Sequence, residues 1–203
     1  RPVSLGDGPD GALYVVDMYR EVIEHPQYMP AGLAETLNLR AGDDRGRIWR
    51  IRPTGNKPRT FRPAETATEL VAQLRDQSGW RRDTAQRLLV ERQDKSASEP
   101  LARLLLDTNA PAKSRLHALY ALDGLETLSR DDLADLLSDQ DAHLREHAVK
   151  LAARLVPQDQ ALVEKLCKLS TDPEPRVRFQ VAFALAECDD PQSTEALALI
   201  ATR

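Results

Sequence analysis

The sequence lacks several features that would assign a class of function directly. No apolar run approaches the ~18 residues needed to cross a bilayer, which predicts no membrane-inserted segment. There are only two cysteines and no CxxCH motif, so the sequence provides no site for covalent attachment of a c-type haem. The 28 basic residues are outnumbered by 32 acidic ones, and the net charge of −4 argues against nucleic-acid binding by phosphate neutralisation.

Glycine is scarce after residue 55, and this shift predicts a domain boundary. Only Gly79 and Gly124 follow that point, whereas the other seven of the nine glycines precede it. Before the boundary, residues 12–16 and 47–52 are typical of short strands, and a short helix is predicted over 31–38. Two isolated strands are marginal in water, so we expect this part to pack against another surface.

A block of Asp, Arg and a small residue recurs about every thirty residues. The four copies are Asp76, Arg82 and Ala85; Asp107, Arg115 and Ala118; Asp139, Arg145 and Ala148; and Asp172, Arg178 and Val181. Successive arginines are 33, 30 and 33 residues apart. This period predicts a stack of helix pairs rather than one enclosed globule, and such stacks present surface to other macromolecules.

Helical spacing supports the repeat. Apolar residues recur at three- and four-residue intervals in 177–188, which places them on one helix face that only neighbouring copies can cover. Second apolar helices of the four copies are predicted at 99–107, 130–139, 160–172 and 193–203. Four prolines are expected between helices, where a missing N–H is tolerated: Pro157, Pro173, Pro175 and Pro191.

The copy at 172–185, DPEPRVRFQVAFAL, resembles the HEAT repeat. The matching residues are Asp172, Pro175, Val177, Arg178, Val181 and Leu185. The resemblance implies that aspartates and arginines form a ladder that ties neighbouring copies together. The eight ladder residues are Asp76, Arg82, Asp107, Arg115, Asp139, Arg145, Asp172 and Arg178.

The first two copies depart from the HEAT pattern. Trp80 stands where a smaller residue is expected. The interval from Asp107 to Arg115 is two residues longer than in the later copies, which predicts an insertion at 108–112.

The amino-terminal quarter resembles a different family. GPDGALYVVD, MYREVIEHP and GRIWRI, all within residues 1–53, resemble the last β-propeller blade of membrane-bound dehydrogenases of planctomycete and verrucomicrobial type. Those proteins are similar to soluble quinoprotein sugar dehydrogenases, and HEAT-like repeats and a c-type cytochrome domain commonly follow their propeller. The resemblance implies a parent protein that uses a quinone or c-type haem and lies in the periplasm or outside the cell.

We interpret the chain as a piece of such a parent. It begins at Arg1 without an initiator Met, and it lacks the earlier blades. We therefore expect no cofactor, metal or complete catalytic site in this piece.

The loop at 17–25 is the candidate ligand-binding region of the parent. Asp17, Tyr19, Arg20 and His25 lie within nine residues at the end of a predicted strand, where binding loops gather. They can supply an acid–base group and a cation for an anionic ligand. A structural interpretation stays open, in which Asp17 caps the strand end and Arg20 pairs with Glu24.

Other polar residues favour structural roles. His143 and His147 have the four-residue spacing of a metal site, but HLREH lacks the glutamate that a zinc hydrolase uses beside its first histidine. His117 is expected to be a satisfied histidine within an apolar helix. Cys167 and Cys188 fit apolar helix faces as small hydrophobic residues, and a disulfide between them is left open.

The predicted fold is mainly α, an α-α superhelix of HEAT-like repeats with a small β segment. We expect the blade remnant at 1–57, a linker at 58–66 and the repeats at 67–203. The predicted function is a non-catalytic scaffold that binds the rest of the parent chain or another protein. Two alternatives remain: the 17–25 loop closes the substrate pocket of a sugar or alcohol dehydrogenase, or the chain is a stand-alone HEAT adaptor of phycobilin-lyase-like type.

Overall fold

The computed structural model describes residues 1–23, 25–55, 60–156, 159–186 and 188–202. Its contacts divide the chain into two compact units. The first unit contains Arg1–Pro63 and Gln77–Arg81, and the second contains Ala64–Asp76 and Arg82–Arg203.

The first unit is built on a three-stranded antiparallel sheet. The strands are β1 (Pro2–Asp7), β2 (Leu13–Asp17) and β3 (Arg47–Ile51), in the order β1-β2-β3. The sequence pattern predicted β2 and β3 but missed β1, because PVSLGD contains Pro and Gly, which are depleted in strands, and its apolar alternation is limited to Val3 and Leu5. The segment is a strand because it pairs with β2, where Leu5 lies opposite Val15.

The connection from β2 to β3 holds little regular structure. It contains a 3-10 turn at Pro26–Tyr28 and one short helix, α1 (Leu33–Thr36), which is shorter than the predicted 31–38. Gly42 has a φ of +78°, and a Cβ there would lie 2.1 Å from the carbonyl oxygen of Tyr19. Only glycine allows this close approach of the two chain segments.

Trp80 also belongs to the first unit. Its ring packs edge-on against that of Phe61, with 5.1 Å between centroids. The guanidinium of Arg81 donates to the carbonyl oxygens of Pro9 and Thr60. Trp80, which stands where the repeat pattern has a smaller residue, thus packs against Phe61 within the first unit.

Helices account for most of the second unit. Nine helices follow α1 in the part of the chain that the structure describes: α2 (Ala67–Gln73), α3 (Gly79–Arg92), α4 (Ser98–Leu106), α5 (Ala112–Gly124), α6 (Arg130–Leu136), α7 (Ala142–Ala152), α8 (Gln160–Lys168), α9 (Pro175–Leu185) and α10 (Pro191–Ala201). None of the described helices is long and apolar enough to cross a bilayer.

Side chains at the helix starts explain where several helices begin. Thr66 and Ser129 form capping boxes with Glu69 and Asp132, which satisfy backbone N–H groups at the starts of α2 and α6. Each of the second-unit helices α7, α8 and α10 begins after an aspartate cap.

Two of the four prolines depart from their predicted positions. Pro175 and Pro191 are the first residues of α9 and α10 rather than lying between helices, because the N–H that proline lacks has no helical partner at that position. Pro173 lies between helices, in the turn before α9. Pro157 lies outside the described residues.

The core lies between paired helices. Helix α4 packs on α5, α6 on α7, and α8 on both α9 and α10, while α7 also packs on α5 and α9. The small residues predicted at the closest approaches are confirmed as core, because each is fully buried: Ala85, Ala118, Ala148 and Val181. A small side chain at these positions lets helices approach closely.

Candidate functional sites: the ladder and the loop of the first unit

The aspartates of the repeated block first hold their own turns. In Asp139 and Asp172, Oδ1 accepts the backbone N–H two residues later, at 2.9 Å in both cases. Asp107 does the same with Asn109 at 3.0 Å. This local hydrogen bond orders the chain before the helix, and it leaves the second carboxylate oxygen for another donor.

The ladder arginines also bind their own turns. Nη1 of Arg82, Arg145 and Arg178 donates to the carbonyl oxygen of the aspartate six residues earlier, at 2.7 Å each time. Arg115 differs, because its Nε donates to the carbonyl of Leu105. The longer loop before α5 changes which carbonyl lies within reach of this arginine.

Neighbouring copies are joined by the side chains. Arg145 donates from Nε and Nη2 to the two carboxylate oxygens of Asp172, at 2.8 and 3.0 Å. Arg115 also binds both carboxylate oxygens of Asp139, but it does so from Nη1 and Nη2. Both pairs are largely buried, with side-chain exposures of 12% and 4% for Arg145 and Asp172.

The ladder therefore pairs each of these arginines with the aspartate of the following copy. The ladder implies that Asp172 and Arg178 both contact the copy at 139–145: Asp172 does so through Arg145, whereas Arg178 donates to carbonyls of its own turn, at Asp172 and Pro173. The side chains of Arg115 and Arg145 extend towards the copy that follows, not towards the one that precedes. Asp107 is bound by Arg75, a residue that does not belong to the repeated block.

These contacts favour the ionised form of two ladder carboxylates, Asp107 and Asp172. Burial opposes ionisation of Asp172, but hydrogen bonds from Arg145 and the Glu174 N–H outweigh it, and its pKa lies below the usual range. The Arg75 guanidinium lowers the pKa of Asp107. At neutral pH both groups are charged and paired.

A second set of polar contacts, which was not predicted from the sequence, lies at the starts of the second helices. Arg130 at the start of α6 donates from Nη2 to the carboxylate of Asp159, the cap of α8, at 2.8 Å. Gln160 at the start of α8 binds Asp190, the cap of α10, at 3.1 Å. The signal was present, because each donor precedes a helix-capping aspartate by 29 or 30 residues.

The histidines take part in contacts between helices. Nδ1 of His117 lies 2.6 Å from Oε1 of Gln86, and Nδ1 of His147 lies 2.7 Å from the hydroxyl of Tyr120. Burial lowers the pKa of both histidines. His143 is exposed near Asp141. Among the described residues, no three His, Cys, Asp or Glu side chains form a group that could hold a metal ion.

The two cysteines are free and half-buried. Both pack against the apolar core of the second unit. Burial raises the pKa of Cys167.

Asp17 closes the end of strand β2. Its carboxylate accepts from the amino group of Arg1 at 2.6 Å, from the Tyr19 N–H at 2.9 Å and from the Trp49 indole at 2.9 Å. These donors hold the pKa of Asp17 well below its usual range. These contacts are the ones expected if Asp17 caps the end of the strand.

The rest of the 17–25 loop is dispersed. The Arg20 guanidinium donates to the carbonyl of Leu39, and the Arg47 guanidinium lies 4.1 Å from the ring centroid of Tyr19. His25 is exposed, and its Nδ1 accepts the Gln27 N–H at 3.2 Å to cap a 3-10 turn. Glu24, the expected partner of Arg20, lies outside the described residues.

An open pocket of about 550 Å³ lies beside this loop. Tyr19, Arg20, Glu21, Gly42 and Arg45 are among its lining residues. The structure thus brings Tyr19 and Arg20 to one pocket, whereas Asp17 and His25 do not line it.

Comparison with known proteins gives two family matches. Residues 130–203 match the family model for HEAT repeats, which confirms the predicted repeat type over that range. Residues 1–55 match the model of a domain of unknown function, DUF7133. Among solved structures, the chain is similar to a crystal structure of an engineered protein, with 20% identity, 67% of each chain covered and a TM-score of 0.40. No curated protein sequence matches the chain.

Proposed function

We propose that the chain is a non-catalytic interaction module, in which the HEAT repeats bind another protein or the rest of a longer parent chain. The HEAT match over residues 130–203 carries this proposal. Helix pairs joined by buried Arg–Asp contacts form a stable support, and their outer faces remain available for a macromolecule.

The state of the titratable groups supports a structural rather than a catalytic use of the second unit. A general acid or base works best with a pKa near the working pH. Asp107 and Asp172 have lowered pKa values because they are paired, and His117 and His147 are held in contacts between helices. These groups stabilise the stack.

The first unit supports membership of a larger β structure. Leu5, Val15 and Trp49 are cross-strand neighbours and therefore share one sheet face, as do Leu13 and Ile51 two positions along. Leu5 is 66% exposed, Trp49 47% and Ile51 53%. An apolar sheet face of this kind can be covered by further strands, as in the blade of a propeller. The separate match of residues 1–55 also weighs against an adaptor made of HEAT repeats alone.

Cross-linking with mass spectrometry on the intact protein in its source cells tests the interaction role. Lys113, Lys150 and Lys168 are exposed on the second unit and provide reactive amines. We expect cross-links from these lysines to a defined partner or to distant parts of the parent chain. Cross-links confined to the unit itself would contradict the proposal.

A second candidate function rests on the pocket beside Arg20. If the parent is a sugar or alcohol dehydrogenase that uses a quinone or c-type haem, this pocket can bind an anionic group of substrate or cofactor. A propeller site is assembled from several blades, so the 203 residues alone should neither bind a quinone nor oxidise sugars.

Turnover by variants of the intact parent tests this candidate. Arg20→Ala should lower turnover at an unchanged melting temperature, whereas His25→Ala should leave turnover unchanged, because His25 lies outside the pocket. Unchanged turnover in Arg20→Ala would leave the loop with a packing role only.

A further inference from the structure

Two segments of the first unit form the walls of the pocket beside Arg20. One segment is 19–21, which follows β2, and the other lies within 41–45, which precedes β3. The Glu21 N–H donates to the carbonyl oxygen of Ala41 at 3.2 Å, and the Arg20 guanidinium donates to the carbonyl of Leu39. Hydrogen bonds between remote residues therefore fix how far apart the two walls lie.

Tyr19 has a backbone conformation that a tyrosine rarely adopts. Its φ is +53°, in the left-handed region. Its N–H donates to the Asp17 carboxylate at 2.9 Å, and the Arg47 guanidinium lies 4.1 Å from its ring centroid. Gly42 lies so close to its carbonyl oxygen that only glycine fits there. Strained residues that are held by several contacts cluster at binding sites, so Tyr19 indicates that this pocket is maintained for a ligand.

The pocket contains charges of both signs that are not paired with each other. The Arg20 side chain makes one hydrogen bond to the described residues, at Leu39, and its Nε is buried without a partner. The Glu21 carboxylate is exposed, and none of the described residues forms an ion pair with it. In contrast, Asp44 and Arg45 lie 3.8 Å from each other. One guanidinium and one carboxylate of the lining are thus left to bind a ligand.

A ligand with a carboxylate and an ammonium group matches these two side chains. A guanidinium binds a carboxylate through parallel N–H donors, and a carboxylate accepts from an ammonium group. A simple anion would satisfy Arg20 but would place a second negative charge beside Glu21. Because these are consecutive residues of one wall, the two charges of the ligand must also be close together, as they are in an α-amino acid. Arg1, a further lining residue, adds a cation that also favours a carboxylate.

We propose that this pocket binds a free α-amino acid, with its carboxylate on Arg20 and its ammonium group on Glu21. Tyr19 and Ala41 supply apolar surface for the ligand's side chain, and the volume of about 550 Å³ admits an aromatic one. The proposal goes beyond the interaction function of the repeats. It uses the pocket of the second candidate function, but it does not depend on the reaction of the parent.

Isothermal titration calorimetry of the full chain at neutral pH, with three ligands that share one ring, tests the proposal. L-Phenylalanine carries both charges, 3-phenylpropionate lacks the ammonium group and phenethylamine lacks the carboxylate. Phenylalanine should bind saturably. Each analogue should bind about tenfold more weakly or less, because it leaves either Arg20 or Glu21 unmatched.

Substitutions in the pocket test the two contacts separately. Arg20→Gln and Glu21→Gln should each weaken the binding of phenylalanine by about tenfold. Glu21→Gln should also abolish the preference for phenylalanine over 3-phenylpropionate, because the group that selects the ammonium is gone. Arg52→Gln is the matched control, since Arg52 is an exposed arginine of the same unit that does not line the pocket, and it should bind as the natural chain does. Melting temperatures should show that all three variants are folded.

Three results would overturn the amino-acid site. They are an absence of saturable binding, equal binding of 3-phenylpropionate, which would make the pocket a general anion site, and unchanged binding in Glu21→Gln. The second candidate function fails differently. If Arg20→Ala lowers the turnover of the intact parent but phenylalanine does not bind, that function stands and the amino-acid site is overturned. If phenylalanine binds and turnover is unchanged, the amino-acid site stands and the pocket has no part in the parent's reaction.

Discussion

The Arg145 guanidinium stabilises two turns at once. One edge binds carbonyls of its own turn, and the other binds the buried Asp172 carboxylate of the following copy. Arg178 makes the first set of contacts without the second. The chain thus contains two chemically identical residues that differ in one ion pair.

Replacing each arginine separately should show how much that ion pair contributes to the free energy of unfolding. Arg145→Ala should lower the free energy of unfolding by about 3 kcal/mol, because it leaves the Asp172 carboxylate buried without its partner. Arg178→Ala should cost about 1 kcal/mol, since only hydrogen bonds to carbonyls are lost. Urea unfolding at pH 7 measures both values, and equal costs would contradict the ladder direction described here.

His147 should make stability depend on pH near neutrality. Burial lowers its folded pKa below 6.5, so the unfolded chain binds more protons as the pH falls through that value. The stability that neutral His147 contributes is present above pH 6.5 and is lost as the pH falls towards the folded pKa. His147→Gln should reduce the slope of the unfolding free energy between about pH 7.5 and 5.5 without abolishing it, because the buried His117 still titrates in the same direction. An unchanged slope would show that His147 does not titrate differently on folding.

At the scale of the helix, small residues at the crossings decide how closely neighbours pack. Ala148 on α7 is fully buried, whereas Lys150 on the same helix is exposed. Spacing alone predicted which positions must be small, because they fall on the inward face of each helix.

Enlarging one of these positions should therefore be costly. Ala148→Leu should lower the free energy of unfolding by about 1–3 kcal/mol through overpacking. Lys150→Leu adds an apolar side chain to an exposed position of the same helix. This substitution should change the free energy of unfolding by less than about 0.5 kcal/mol. An unchanged melting temperature for Ala148→Leu would contradict the packing register.

Across the whole helical unit, paired aspartates should make folding sensitive to acid. Arg130 is the main cause of the lowered pKa of Asp159, which is about 2, and the pKa values of Asp107 and Asp172 are also lowered. Because the folded values lie below the unfolded value of 3.8, this stability is present above pH 3.8 and is lost as the pH falls through the folded values.

We therefore expect the melting temperature of the chain to fall progressively between about pH 5 and pH 2. Asp172→Asn should be less stable at pH 7 and should lose less on acidification, because one titrating pair is gone. If both proteins lost the same amount between pH 5 and pH 2, Asp172 would not contribute to the acid response.

Local pattern was sufficient for the helices, for two of the strands and for the residues of two ladder pairs, Arg115 with Asp139 and Arg145 with Asp172. Apolar periodicity, helix caps and the thirty-residue recurrence are properties of neighbouring residues, and they can be read without knowing what packs against what. The strands β2 and β3 and the buried Ala148 were predicted in this way.

Contacts between distant residues were decided only by the tertiary structure. Which aspartate Arg145 binds depends on the direction in which the stack grows, and β1 forms because β2 offers an edge for pairing. The position of His25 outside the pocket depends on the path of a loop with little regular structure. Sequence patterns determine local conformation because the forces that produce it act within a few residues, whereas these pairings depend on where the folded chain brings remote segments together.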